Sequence, residues 1–402
     1  MKKFKTWKSL LGLLLAMMVL LSACSAAAPA DSSGDSASAE TAAAADETQA
    51  PLQEEPAEQT QEQPADGTDV RMAVVFATNL GDNGFSDLVW KGMNEASEDL
   101  GIEIKSIELM GDATKQEPTL IELCESEEWD VIVAGTFNMK EAIQNVADEF
   151  PEQKFIVYDT QLDYSDGKYQ NCVSVMTKQY EVAFMAGALA AEMTSREGEG
   201  LNAEKVVGFV GGAENSSIDD FLVGYIEGVK YVDADVQVLY SFVGDFKNTA
   251  KAKELALSQY QQGADIVFAV ASAASLGVLD AAKAADAFAI GVDLDQAEQL
   301  EANDPEISAH IMTSAMKKLD TLLYNLVSDY LDGTITWGQH QLAGLSDGTM
   351  ALADNKYFRA VVPQDVIDQI AQIEADIISG TIQIPTAIGM TADELQAEKD
   401  KA

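Results

Sequence analysis

The chain has 402 residues, 47% of them hydrophobic, and a formal net charge of −42 at neutral pH. That acidity excludes DNA, RNA and anionic lipid surfaces as partners, because each demands a basic face. The length suits two lobes of ordinary size around substantial cores.

Lys2, Lys3, Lys5 and Lys8 precede a mostly apolar run over residues 10–21, which closes on Leu21-Ser22-Ala23-Cys24. A basic start, a short apolar stretch and small residues before a cleavage point make a secretory signal. Cysteine at the first mature position reads as a bacterial lipoprotein, with the Cys24 thiol taking a diacylglycerol group. The alternative is an ordinary signal peptide with a chance cysteine. The apolar run is short of the ~20 residues a membrane span needs. The expectation is therefore loss of residues 1–23 and a lipid anchor at Cys24, on the extracytoplasmic face of the cell membrane. Residues 24–69 hold no Lys or Arg and almost no large apolar side chain. Such a segment cannot bury enough surface to fold and makes a coil of roughly 35–40 Å reach.

From residue 70 the pattern alternates. Strands are predicted over 70–76, 102–109, 129–134 and 154–158, with helices over 87–100, 116–128 and 140–150. The alternation restarts with strands over 205–210, 236–242, 266–270 and 288–292 and helices over 218–232, 249–262 and 276–285. This is the pattern of parallel sheets covered by helices on both faces. Residues 183–194 join the two sets, and 310–313 with 317–331 are expected to cross back. The predicted fold is α/β: two lobes over 70–390, each a parallel sheet flanked by helices, with a ligand cleft between them. Lobe 1 is assigned about 70–180 plus a returning segment near 295–330, lobe 2 about 190–292 plus a C-terminal segment, and 391–402 is read as a tail.

Ligands of open parallel sheets sit outside the carboxyl ends of strands. The loops to watch are therefore 77–85, 135–138, 159, 211–217, 243–246, 271–275 and 293–296. Cys124 and Cys172 read as buried free thiols, with a bridge as the alternative. His310 and His340 are the only histidines, so no metal site and no cofactor is expected. No nucleophile elbow, dinucleotide fingerprint or Walker sequence is present, and no catalytic residue is assigned.

At the strand-end loops the chain resembles the basic membrane protein (BMP) family of substrate-binding lipoproteins, which includes purine nucleoside receptors. The resemblance runs over about residues 70–385. It rests on Gly81-Asp82-Asn83-Gly84-Phe85-Ser86-Asp87-Leu88-Val89-Trp90-Lys91-Gly92, on Gly208-Phe209-Val210-Gly211-Gly212, on Gly263-Ala264-Asp265, on Gly291-Val292-Asp293-Leu294-Asp295-Gln296 and on Thr313-Ser314-Ala315-Met316-Lys317. Ile377-Ile378-Ser379-Gly380 and Ile384-Pro385 fit the family's ending. It implies a type I periplasmic-binding-protein fold that captures a nucleoside, with purine as the expected base. It also implies delivery to the permease of an ABC importer driven by a separate ATPase. A ligand-sensing receptor for a signalling partner and a nucleoside-cleaving enzyme are the alternatives.

On this resemblance Phe85 stacks on the base, with core packing as the other reading, and Phe242 is a second stacking candidate. Asp82 and Asn79 either hydrogen-bond base nitrogens or simply build the turn. Asn79 stands where the family often has Asp, and Ser86 replaces the usual Asn. Asp293 and Lys317 either hold ribose hydroxyls or pair with each other, with Asp295 as the fallback for Asp293. Asp159, Thr136, Phe137 and Ser272 are placed on the rim by the strand-end rule.

Overall fold

Runs of apolar, β-rich sequence alternate with helices, and the first such series builds one sheet. Its strands are β1 (Arg71–Phe76), β2 (Glu103–Glu108), β3 (Val131–Gly135), β4 (Lys154–Tyr158) and β5 (Cys172–Thr177), with α1 (Phe85–Leu100), α2 (Gln116–Glu125) and α3 (Lys140–Glu149) between them. β3 is buried along its whole length and β1 nearly so, as a parallel sheet covered on both faces requires. β2 lies at the edge and is half exposed. α1 stops at Gly101, whose φ of 73° is the left-handed end that glycine supplies. The computed structural model describes residues 69–82 and 84–402, so Cys24, the signal peptide and the tether up to residue 68 lie outside the described residues.

α4 (Gln179–Thr194) leads into a small hairpin, β6 (Glu197–Gly198) and β7 (Leu201–Asn202), and then the second series. This runs β8 (Val206–Gly211), α5 (Ser216–Val232), β9 (Gln237–Phe242), α6 (Thr249–Gln261), β10 (Ile266–Val270), α7 (Ser275–Ala285) and β11 (Phe288–Asp293). α8 (Gln296–Glu301), α9 (Pro305–Ala309) and β12 (Ile311–Lys317) follow, then α10 (Leu319–Leu331), β13 (Gln339–Ala343), β14 (Met350–Leu352), α11 (Lys356–Val361), α12 (Gln364–Ile378) and α13 (Ala392–Lys399). α4 and α5 lie close because α5 offers Gly224 and Gly228, where a Cβ would stand 2.8 Å from Tyr180 Cα and 2.9 Å from Phe184 Cα.

The strand orders are β13-β5-β4-β3-β1-β2 and β14-β12-β11-β10-β8-β9. Only β14 runs antiparallel to its neighbour in these two sheets. Each sheet carries an apolar cluster on each face. Leu88, Val89 and Leu323 cover one face of the first and Leu120, Ile143 and Val146 the other. Phe209, Leu222 and Tyr225 pack on one face of the second, and Ala252, Val278 and Leu279 on the other.

The division differs from the expected one in two respects. The returning segment begins at α10, not near residue 295, because α8, α9 and β12 stay with the second sheet. There β12 pairs with β11 and buries Ile311, Met312 and Ala315. The stretch 391–402 is not a loose tail. Thr391 and Glu394 form a reciprocal capping box that starts α13, a Thr-x-x-Glu signal present in the sequence.

The chain passes between the sheets three times: at Lys178 between β5 and α4, at Lys318 between β12 and α10, and at 344–349 between β13 and β14. Backbone bonds tie these passages together, Lys178 N to Ala343 O at 2.7 Å and Lys318 N to Thr349 O at 2.8 Å. All three lie at the β5/β13 and β12/β14 side. The hinge is therefore on that edge, and the cleft opens at the β2/β9 side.

Candidate functional site

The carboxyl ends of both sheets face one cavity, with an empty volume of about 840 Å³ counting the part open to solvent. The first lobe contributes Asp82, Phe85, Thr136, Phe137, Tyr158 and Asp159, and the second Asn215, Ile218, Phe246, Ser272, Asp293 and Lys317. Four of these residues are not glycine and yet hold left-handed backbone: Thr136 (φ 77°), Asp159 (φ 53°), Ser272 (φ 49°) and Asp293 (φ 69°). Each stands at or just past a strand end. Such conformations cost on the order of 1–3 kcal/mol and persist where the fold over-determines them. Here they turn side chains inward that an ordinary exit would send elsewhere.

The polar centre is Lys317, at the end of β12 and 2% exposed. Its ammonium pairs with Asp159 across the cleft and lies 5.3 Å from the centre of the Phe85 ring. Phe85 also packs against Tyr158, ring centres 6.1 Å apart. The ion pair is thus Lys317–Asp159, not the Lys317–Asp293 pair weighed in the sequence. Asp293 is buried, 7% exposed, and burial pushes its carboxyl up to about 7. Lys317 pulls the value down, while Asp82 and Asp159 push it further up. Asp82 and Asp159 thus stand close enough to raise the Asp293 carboxyl and Lys317 close enough to lower it, and that carboxyl can accept from a ligand hydroxyl.

Asp82 lines the cavity, but its oxygens are committed. Oδ1 accepts from the backbone N–H of Gly84 and Asp87, and Oδ2 from the N–H of Ser86 and from Ser272 Oγ at 3.2 Å. It builds the turn that presents Phe85, and it links the lobes. Thr136 bonds Asn138, and Phe137 is half-exposed at the rim.

Three sequence candidates lie elsewhere. Asn79 donates to Leu80 O at 2.8 Å, so its amide closes the local turn. Asp295 caps α8 through Glu298 N and accepts both bonds from Asn355 Nδ2, which turns it from the cavity. Phe242 sits behind the wall: a Cβ on Gly211 would meet its ring at 2.8 Å. The second lobe instead lines the cavity with Phe246, four residues on, and with Phe221. Phe246 lies in the strand-end loop 243–246, and Gly212 leaves room for its ring. Asn215 and Ser217 also lie in a strand-end loop, 211–217. The signal for them was the cap itself, since Asn215 Oδ1 accepts from Ser217 N and Ile218 N. Ile218 and Phe221 carried no distinguishing mark among the apolar residues of α5. Among the described residues no acidic, His or Cys cluster could hold a metal, and no helix is long and apolar enough to cross a membrane.

The family profile described as "ABC transporter substrate-binding protein PnrA-like" matches residues 69–387. The ABC transporter nucleoside-binding protein BmpA of Lactococcus lactis is 25% identical over 333 residues, 79% of this chain and 90% of that protein. Basic membrane protein D of Borreliella burgdorferi is 31% identical over 219 residues; that match takes in 54% of this chain and spans 60% of the relative's length. Similar archaeal proteins include an uncharacterized lipoprotein of Pyrococcus abyssi, 29% identical over 279 residues, 66% of this chain and 64% of that protein. A solved ABC transporter solute-binding protein from Aeropyrum pernix superposes with a TM-score of 0.73 at 24% identity, covering 83% of this chain and 98% of the other, and shows the same fold. The chain belongs to the Bmp family of PnrA-like substrate-binding proteins of ABC transporters.

Proposed function

We propose that this protein captures a nucleoside, with purine as the expected base, and delivers it to an importer permease powered by a separate ATPase. The observation that carries the reading is the pairing of two chemistries in one inter-lobe cavity. Phe85 and Phe246 offer aromatic faces from opposite lobes, and Asp293 and Lys317 supply an acceptor and a donor beside them. Flat bases stack on aromatic rings, and adjacent sugar hydroxyls donate to a carboxylate. The nucleoside-binding relative in Lactococcus lactis supports the ligand class. A lipid at Cys24 and the acidic tether would hold the binding lobes outside the membrane.

Calorimetric titration of the mature protein, refolded to strip carried ligand, tests this with purine nucleosides, pyrimidine nucleosides and free ribose. One-to-one binding of purine nucleosides with weak or no ribose binding is expected. Binding of ribose as tightly as of nucleosides would remove the stacking role; binding of none would remove the nucleoside.

A further inference from the structure

The segment after Pro385 folds back onto α5, the helix whose first turns supply Ser217, Ile218 and Phe221 to the cavity. Two consecutive carboxylates of α5 are held by it. Asp220, 1% exposed, accepts from Thr386 Oγ1 at 2.6 Å and from Ala387 N at 2.8 Å. Asp219, 4% exposed, faces Lys399 of α13 at 2.8 Å. The Lys399 ammonium also reaches Glu214 at 2.6 Å, in the loop just before Asn215, and covers the Phe242 ring at 5.3 Å. That ring also abuts Gly211, where a Cβ would meet Ile218 Cγ2 at 2.8 Å as well, and it packs on the apolar cluster that contains Ile218. Lys399, Phe242 and Ile218 thus form one packed column from the C-terminal helix to the cavity wall.

We propose that Lys399 is a positioning residue for the ligand, fixing the Glu214–Phe221 wall of the second lobe through Asp219 and Phe242. The physical reason is the state of Asp219. Removing Lys399 leaves a buried carboxylate that still feels Glu214, a like charge. Stranded buried charges are strongly unfavourable, and the local backbone yields to reach water. The backbone that yields is the one carrying Asn215, Ser217 and Ile218. Lys401 is an internal control. It sits on the same C-terminal segment but pairs with Glu227 and Glu398, away from the cavity.

The ligand half of this inference rests on the proposed nucleoside site; the backbone half does not. The test is therefore double: amide hydrogen exchange over residues 215–221 without added ligand, and nucleoside affinity by calorimetry, in the full mature protein. Lys399→Met is expected to speed exchange over 215–221 and to weaken nucleoside binding, each by about tenfold. Lys401→Met should leave both unchanged even if it lowers the unfolding temperature. Asp219→Asn added to Lys399→Met removes the stranded charge and should recover most of both losses. Unchanged exchange in Lys399→Met overturns the proposal, as does an equal effect of Lys401→Met. If Lys399→Met does not fold, the double variant and Lys399→Arg carry the test: wild-type exchange in the double variant combined with fast exchange in Lys399→Arg would overturn it. If the wild-type protein binds no nucleoside, the ligand reading fails, and the exchange result alone decides the role of Lys399.

Discussion

Asp293 makes ligand affinity depend on pH in a direction that can be worked out. Its carboxyl is lifted to about 7, first by burial and then by Asp82 and Asp159, with Lys317 opposing. In the proposed site, sugar hydroxyls would donate to the ionised form, so the ligand would select the carboxylate. About a tenth of the sites are ionised near pH 6 and about nine tenths near pH 8. Affinity should therefore rise about tenfold between them, equal to about 1.4 kcal/mol. Stability without ligand runs the other way. The folded state binds the Asp293 proton more tightly than the unfolded chain. Its contribution is thus complete below the ordinary carboxylate range and is lost as pH rises through about 7, at most about 4 kcal/mol. Calorimetry across this range, with urea unfolding beside it, measures both slopes. Asp293→Asn should flatten the affinity slope. Affinity that is flat or tightens toward acid refutes the reasoning. So does a slope that survives in Asp293→Asn, which would move the titration to Asp220, held at about 6 by burial.

Phe85→Ala and Phe246→Ala should each weaken nucleoside binding by about 1–3 kcal/mol, roughly 5- to 150-fold in titration. Phe242→Ala should instead cost about 2 kcal/mol of stability in urea and change affinity less than either. Gly92→Ala puts a methyl against the Asp320 backbone, with Asp320 Cα only 2.5 Å away, where α1 meets α10. It should lower the thermal midpoint despite the better helix propensity of alanine, by about 1–3 kcal/mol of overpacking. Burial pushes the Cys124 and Cys172 thiols up to about 12. A thiol reagent should label neither in the native protein and both in denaturant.

Much of the architecture was legible because parallel strands buried on both faces leave continuous apolar runs. The strands at 154–158 and 266–270 match their predicted limits for that reason. β13 and β14 were not legible. Gln339-His340-Gln341-Leu342-Ala343 is an edge strand with mixed burial and no alternation, and it exists because β5 offers an unpaired edge beside the hinge. At the cavity, the strand-end rule found the loops but not the side chains. It favoured Phe242 as the last residue of β9, yet alternation along a strand points that ring to the face behind Gly211, where Lys399 covers it. The sequence ranks Asp293 ahead of Asp295 by its place at a strand end, without showing what occupies Asp295. The difference is one backbone torsion: Asp293 turns left-handed and faces inward, while Asp295 begins α8 and is spent on its cap.

Among the described residues, two polar links join the lobes across the cleft, Lys317 to Asp159 and Ser272 to Asp82. Neither needs to hold the lobes shut. A buried ion pair gains little over its two hydrated ions, since the desolvation cost nearly cancels the attraction. Hinge opening would rehydrate Lys317 and Asp159 and so would cost little at this point. What the pair supplies is alignment. With the lobes together, Lys317 is fixed over Phe85 and beside Asp293, so the proposed stacking face and the proposed hydroxyl acceptor are set relative to one another before a ligand arrives. A ligand that stacks on Phe85 and donates to Asp293 then adds contacts available only in the aligned arrangement. That differential affinity is what biases a hinged protein toward closure.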